Sequence, residues 1–256
     1  MSVLRIEREG ELATVTLNRP EAMNALSSEL CEALAGGFEQ LAGAGEARVV
    51  ILTGTGRSFS AGVDLKELGS ATQTGGIGSS IEMIATIRSF PGPVIAAVNG
   101  FAITGGFELA LAADFIVASR SARFADTHAR VGILPGWGLS QKLPRLIGIG
   151  RAKELAFTGN YLTADEALAW GLVNRVTEPD ALLPTCRALA EDMLSCVPEA
   201  LRGYKRVIDE GFAGTYRDGL AQEARASIEH MQTVRPESLA ERRAAVQRRG
   251  RDQSDS

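Results

Sequence analysis

The sequence predicts an α/β fold. Short apolar runs of strand length alternate with amphipathic helical patterns to about residue 195. Glycine- and proline-containing turns separate these runs, and helical periodicity alone continues beyond them. The chain opens as a hairpin, residues 4–8 and 12–17 around "EGE", with Ala13, Val15 and Leu17 on one face. "NRPEAMNALS" reads as a loop. A helix from about Ser28 follows, its Leu30, Leu34, Phe38 and Leu41 forming one stripe. "RVVILTG" and "VIAAVNG" are buried-strand runs. Between them, "GTGRSFSAGVDLKELG" reads as a loop entering a short helix. "TQTGGIGSS" reads as a mobile segment before a helix carrying Ile81, Ile84 and Ile87, which Pro91 and Pro93 end. Next come a loop, a helix from about Gly105 and a third strand, "DFIVAS". Past Gly136 the pattern is helical, with a capping box of Thr163 and Glu166 and a terminating Gly171. Further helices fall near 180–195, 199–211, 216–231 and 236–249, before a charged, fraying tail. The expected organisation is an α/β core over 1–195 and a helical region over 196–256.

Composition narrows the function classes. The 256 residues are 45% hydrophobic and 23% charged, as in a globular protein with a sizeable core. Lys plus Arg total 27 against 31 Asp plus Glu, a net −4 that argues against a nucleic-acid partner. The Arg-rich stretch 242–251 is the one basic cluster and reads as a solvated tail. Three cysteines, Cys31, Cys186 and Cys196, lack metal-type spacing and suggest reduced thiols. The alternating start has no signal-peptide core, and no run reaches the roughly 18 apolar residues of a membrane span. A cytoplasmic protein without a membrane partner is expected.

Several chemistries are excluded. There is no phosphate-binding G-x-x-x-x-G-K-[ST]. "GRSFS" lacks the final glycine of a nucleophile elbow. "GGIGSS" follows no strand, as a dinucleotide fingerprint would. His128 and His230 are far apart and form no metal motif.

What remains centres on "NGFAITGGFELALAADF", residues 99–115, where Glu108 follows two glycines among small and apolar residues, well before the other charge, Asp114. If a helix starts at Gly105, the first amides have no partner within it, and glycine lets a ligand oxygen approach them. Side chains lean toward the helix start, so Glu108, three residues on, can face the same volume. Val63, after Ala61 and Gly62 in "SAGVD", offers a second amide, and two converging amides make an oxyanion hole. A purely local role for Glu108, negative charge at a helix start, is equally open at this point.

"SFSAGVDLKEL", "PVIAAVNGFAITGGFELALAADF" and "GILPGWGLSQKLPRLIG" resemble the three characteristic stretches of the crotonase superfamily, the enoyl-CoA hydratase/isomerase family. "LNRPEAMNALS" and "FTGNYLTADEALAWGLVNRV" extend the resemblance over about residues 3–211. It implies a crotonase-like spiral of repeated ββα units and a helical C-terminal region that builds a homotrimer or a dimer of trimers. It also implies a coenzyme A thioester as substrate, with no metal or redox cofactor. The oxyanion-hole amides map onto Val63 and Gly105, and the first catalytic glutamate onto Glu108. Substrate-binding positions carried over are Ala22, Met23 and Asn24 near the adenine end and Ala61, Gly62, Asp64 and Leu65 around Val63. Gly106 joins them, as do Pro135, Gly136 and Trp137. Lys66 and Lys205 are candidates for the CoA phosphates. "TQTGGIGSS" matches the segment over the acyl pocket.

The chain departs from the pattern where hydratases carry a second glutamate: that position is His128. Histidine suits proton transfer near neutrality but carries the opposite charge when ionised. It is either an active-site group or a histidine held structurally by Asp126. Thr104 replaces a common glycine, as a helix cap would. Trp137 either shapes the acyl pocket or packs in the core, and Arg130 either pairs at the surface or reads an anionic acyl tail. The leading expectation is hydration of a 2-enoyl-CoA to 3-hydroxyacyl-CoA. Alternatives are double-bond isomerisation, hydrolysis, decarboxylation or dehalogenation of an acyl-CoA, and non-catalytic acyl-CoA binding.

Overall fold

The computed structural model describes residues 2–43, 45, 47–70 and 75–254. The strands are β1 (Leu4–Glu9), β2 (Leu12–Leu17), β3 (Val49–Gly54), β4 (Ser58–Ser60), β5 (Val94–Val98), β6 (Phe101–Ile103), β7 (Phe115–Ser119), β8 (Arg123–Ala125), β9 (Leu162–Thr163) and β10 (Arg175–Thr177). They form a six-stranded sheet, β1-β2-β3-β5-β7-β10, and a four-stranded one, β4-β6-β8-β9. The helices of the first part are α1 (Ser28–Gly43), α2 (Leu65–Ser70), α3 (Gly75–Ser89), α4 (Gly105–Ala112), α5 (His128–Val131), α6 (Leu139–Ile147), α7 (Ile149–Thr158), α8 (Ala164–Ala169) and α9 (Leu182–Leu194).

The topology is a spiral of ββα units. β3, β5 and β7 each enter the larger sheet in parallel. Each is followed by a three-residue strand, β4, β6 or β8, in the smaller sheet and then by helix. Every turn of the spiral therefore ends at a helix start beside the smaller sheet. The central strands β3 and β5 of the larger sheet are apolar because both their faces are covered. Val50 and Leu52 belong to the main core, while Val49 and Ile51 face Leu182, Cys186 and Ala190 of α9. The alternation along β5 is the same: Val94, Ala96 and Val98 one way, Ile95 and Ala97 the other.

α4 is buried along its whole length, which its sequence "GGFELALA" allows. It lies so close to β4 that a Cβ on Gly106 would stand 2.1 Å from the Ser60 carbonyl oxygen. At its other end, the Lys142 ammonium donates to the carbonyls of Leu111, at 2.5 Å, and Ala113, at 2.8 Å. The Thr163–Glu166 capping box opens α8. That helix ends at Ala169, with Gly171 in the left-handed region beyond it. Cys31 and Cys186 are buried, which pushes both thiols up to about 12.

Chain contacts divide at Pro198/Glu199 into two units. The second holds three helices, α10 (Pro198–Ala213, with Pro198 at the boundary), α11 (Tyr216–Met231) and α12 (Pro236–Ser254). The charged end, expected to fray, is helical to Ser254; its alanines, arginines and glutamates are good helix formers. Of "TQTGGIGSS", residues 72–74 lie outside the described residues, and α3 already begins at Gly75. No described helix is long and apolar enough to cross a membrane.

Two glycines test this packing in opposite directions. Gly106→Ala should lower stability by about 1–3 kcal/mol or more, because the methyl meets backbone that cannot yield. Gly36→Ala, at an exposed α1 position with open space around it, should raise stability by about 0.5–1 kcal/mol. Denaturant midpoints of the two variants, read against wild type, check both; equal effects would contradict the α4–β4 contact.

Candidate active site

The two amides singled out in the sequence lie beside each other. A Cβ on Gly62 would stand 3.1 Å from the Gly105 nitrogen, and one on Gly105 3.3 Å from the Val63 nitrogen. Val63 forms an isolated parallel bridge with Leu26 through its neighbours: Leu26 N–H donates to Gly62 O, and Asp64 N–H to Leu26 O. In that pattern the N–H of Val63 itself is turned to the opposite side. Gly105 opens α4, where no earlier turn accepts its N–H.

Glu108 lies one turn further along α4 and is 2% exposed. A buried carboxylate needs donors. Its Oε1 accepts from Trp137 N–H at 2.8 Å and Leu139 N–H at 3.2 Å. The "PGWG" loop and the first residue of α6 therefore hold the acid by their backbone. The Trp137 ring packs over Gly105, whose Cβ would meet it at 2.8 Å, so it lines the amide pair and belongs to the core at once. From α3, the Arg88 guanidinium donates to the Trp137 carbonyl at 2.5 Å. Burial draws that guanidinium below its ordinary range, and the nearby Glu108 charge opposes the shift.

The other oxygen, Glu108 Oε2, is 3.4 Å from His128 Nε2. His128 Nδ1 is 2.7 Å from Asp126 Oδ1, which also accepts the His128 N–H at 3.2 Å. Burial disfavours the imidazolium, but the hydrogen bonds and charges of Asp126 and Glu108 outweigh it and raise His128 to about 9. At neutral pH the ring is charged, with both nitrogens donating. The result is a buried row of carboxylate, imidazolium and carboxylate.

Thr104 does not cap α4. Its side chain makes no cap bond, and its backbone sits at φ +52°, ψ −111°. Only glycine adopts such angles readily, and they cost a β-branched residue on the order of 1–3 kcal/mol. The hydroxyl bonds to that of Thr127 and accepts the Thr127 N–H at 3.3 Å.

The remaining predicted positions divide by what they touch. Asn24 is fully buried, its amide donating to Thr55 O and Ser58 O and accepting from Arg19 N–H. It pins the loop of Ala22 and Met23 to β4, and Met23 O accepts the Ala61 N–H. Asp64 pairs with Arg19 at 3.2 Å and accepts the Lys66 N–H. Leu65 and Lys66 are exposed on α2, and Pro135 and Gly136 lie at the rim of the "PGWG" loop. Gly106 serves α4–β4 packing. Lys205 lies on α10, in the second unit. Arg130 donates to Thr158 O at 2.6 Å, a scaffold contact. Sequence reasoning missed Leu139, Arg88 and Thr127. Leu139 contributes only its backbone N–H, and Arg88 reaches only a backbone carbonyl, so neither pairing leaves a residue-type signal. Among the described residues, no group of three or more His, Cys, Asp or Glu is placed to hold a metal.

Residues 7–246 match the family model described as enoyl-CoA hydratase/isomerase. Relatives include the short-chain-enoyl-CoA hydratase of Clostridium acetobutylicum, 40% identical over 86% of each chain. The crotonyl-CoA hydratase of Syntrophomonas wolfei is 39% identical over 80% of this chain and 81% of its own. The crystal structure of an enoyl-CoA hydratase from Bacillus anthracis superposes with a TM-score of 0.88 at 36% identity, covering 96% of both chains. A crotonase-type spiral, a buried glutamate behind two neighbouring amides and a match over nearly the whole length lead to one conclusion. The chain belongs to the enoyl-CoA hydratase/isomerase family.

Proposed function

We propose that this protein hydrates a 2-enoyl-CoA thioester to the 3-hydroxyacyl-CoA. The observation that carries the reading is the buried Glu108 carboxylate, one turn from the Gly105 amide and in contact with His128. Relatives named for hydration of short enoyl-CoA and crotonyl-CoA support the substrate class.

The steps follow from the charges. The thioester oxygen accepts from the Val63 and Gly105 N–H groups, which stabilise the negative charge it gains. Glu108 takes a proton from water as the water oxygen bonds to the β-carbon, and the π electrons move onto the thioester as an enolate. The His128 imidazolium delivers its Nε2 proton to the α-carbon. Glu108, now protonated, returns a proton to Nε2 across their contact, and the site is restored. Asp126 keeps the imidazole oriented and charged, the part an acid plays behind a catalytic histidine. The charge type differs from a two-glutamate hydratase, but both transferred protons are accounted for. The substrate is the CoA thioester and the chemistry draws on no metal or redox cofactor. A cytoplasmic homotrimer or pair of trimers is the matching assembly.

Isomerisation of an enoyl double bond is the second reading. The direct contact of 3.4 Å leaves no water between the facing Glu108 and His128 atoms, and Glu108 alone can shuttle one proton.

Crotonyl-CoA in buffered water, followed by enoyl absorbance and mass, tests hydration: the product gains one water. Appearance of 2-enoyl from 3-enoyl-CoA without hydration would favour isomerisation. Glu108→Gln should cost about 10²- to 10⁴-fold in kcat, the usual worth of a positioned acid–base group. Full activity in that variant would remove Glu108 from the mechanism.

The pH dependence has a definite sign. The folded state raises His128 from 6.5 to about 9, so its contribution to stability is complete below about pH 6.5 and lost as pH rises through 9. Hydration should fall over the same basic limb. In His128→Gln, the pH dependence of the denaturation midpoint over that window should flatten. An unchanged slope would contradict the charged row.

A further inference from the structure

Two helix starts carry the groups of the proposed reaction: α4 presents Gly105 and Glu108, and α5 opens at His128. The residue before each is a threonine, the position from which a hydroxyl ordinarily caps its own helix. Neither does so. Thr104 makes no cap bond to α4 and Thr127 none to α5; each hydroxyl bonds the other. The Thr127 N–H also donates to the Thr104 hydroxyl, and the Thr104 N–H donates to Ala125 O at 2.8 Å. Three contacts therefore join the turn that presents the Gly105 amide to the segment that presents His128.

Thr104 holds this place against its backbone preference. A residue at φ +52°, ψ −111° would be relaxed as glycine, and a strained conformation persists only where surrounding contacts over-determine it. The contact here leads to one functional distance. Asp126 and Thr127 immediately precede His128, so the anchoring of Thr127 fixes how far the imidazole reaches toward Glu108.

We propose that Thr104 and Thr127 form a hydroxyl clasp that sets the His128–Glu108 contact, making both threonines positioning residues for proton transfer. The proposal rests on the reading of His128 as a proton carrier. The charged and titratable groups meeting its ring are Asp126, just ahead of α5, and Glu108 from α4, with Arg88 from α3 beyond Glu108. Asp126 moves with His128, so loosening the clasp draws the ring away from Glu108 and removes one of the two carboxylates that oppose burial; its titration moves down.

Thr104→Gly removes the hydroxyl while suiting the backbone, so it folds. Thr104→Ser restores the hydroxyl. Thr127→Val breaks the clasp from the other side, at an ordinary φ of −101°. The experiment follows the His128 ring proton by NMR against pH, with His128→Gln separating it from His230. Wild type is expected to titrate at about 9. Thr104→Gly and Thr127→Val should titrate at least about one unit lower, with Thr104→Ser close to wild type. The melting temperature of Thr104→Gly should be no lower than that of wild type. With crotonyl-CoA, the basic limb of the rate profile should move down with the ring titration. For a one-unit shift, kcat should drop about twofold at pH 8 and about fivefold at pH 9, with KM nearly unchanged. A wild type that turns over no enoyl-CoA would refute the proposed function while the ring titration still judges the clasp. Thr104→Gly titrating as wild type, or Thr104→Ser losing the midpoint equally, would overturn it.

Discussion

The buried carboxylate of Glu108 is the constraint around which the site is built. A carboxylate in an apolar core is strongly unfavourable unless donors replace the water it loses. Here the donors are the Trp137 N–H of the "PGWG" loop, the Leu139 N–H at the start of α6 and the Nε2 side of His128. Each brings a different part of the chain to α4, so satisfying one charge also assembles the site. The loop is fastened in turn by Arg88 on the Trp137 carbonyl, and the imidazole by Asp126.

The spiral supplies the places from which these groups act. Each unit sends a long strand through the larger sheet, a three-residue strand through the smaller one, and then starts a helix. Helix starts carry unpaired amides, so a fold that stacks them against one small sheet gathers donors in one region. Gly105 opens such a helix, and the Val63 nitrogen, its N–H turned away from Leu26 by the bridge, lies close beside it. In the proposed reaction the field at the thioester oxygen is that of main-chain dipoles.

Much of this was legible in the residues. The α1 stripe of Leu30, Leu34, Phe38 and Leu41 is fully buried, and the strands "VVILTG" and "VIAAV" lie where their apolar runs put them. β4, β6 and β8 were not legible: three residues are too few for an alternation to stand out, and they form because parallel neighbours pair with them. β9 and β10 were lost in the helical pattern after Gly136 for the same reason. At the site, Glu108 was conspicuous as the one charge in "GGFELALA" and His128 as a departure from the family pattern. Leu139 was invisible because only its backbone contributes. Thr104 read as a helix cap because composition carries no record of φ, and the hydroxyl of a distant Thr127 competes successfully for it.

The central claim is that the Val63 and Gly105 N–H groups grip a thioester oxygen within reach of Glu108. A crystal structure with 3-hydroxybutyryl-CoA bound tests it most directly. The account predicts the thioester oxygen about 3 Å from both nitrogens, with the hydroxyl-bearing carbon facing the Glu108 carboxylate. A thioester bound elsewhere, or one whose oxygen meets neither amide, would contradict it.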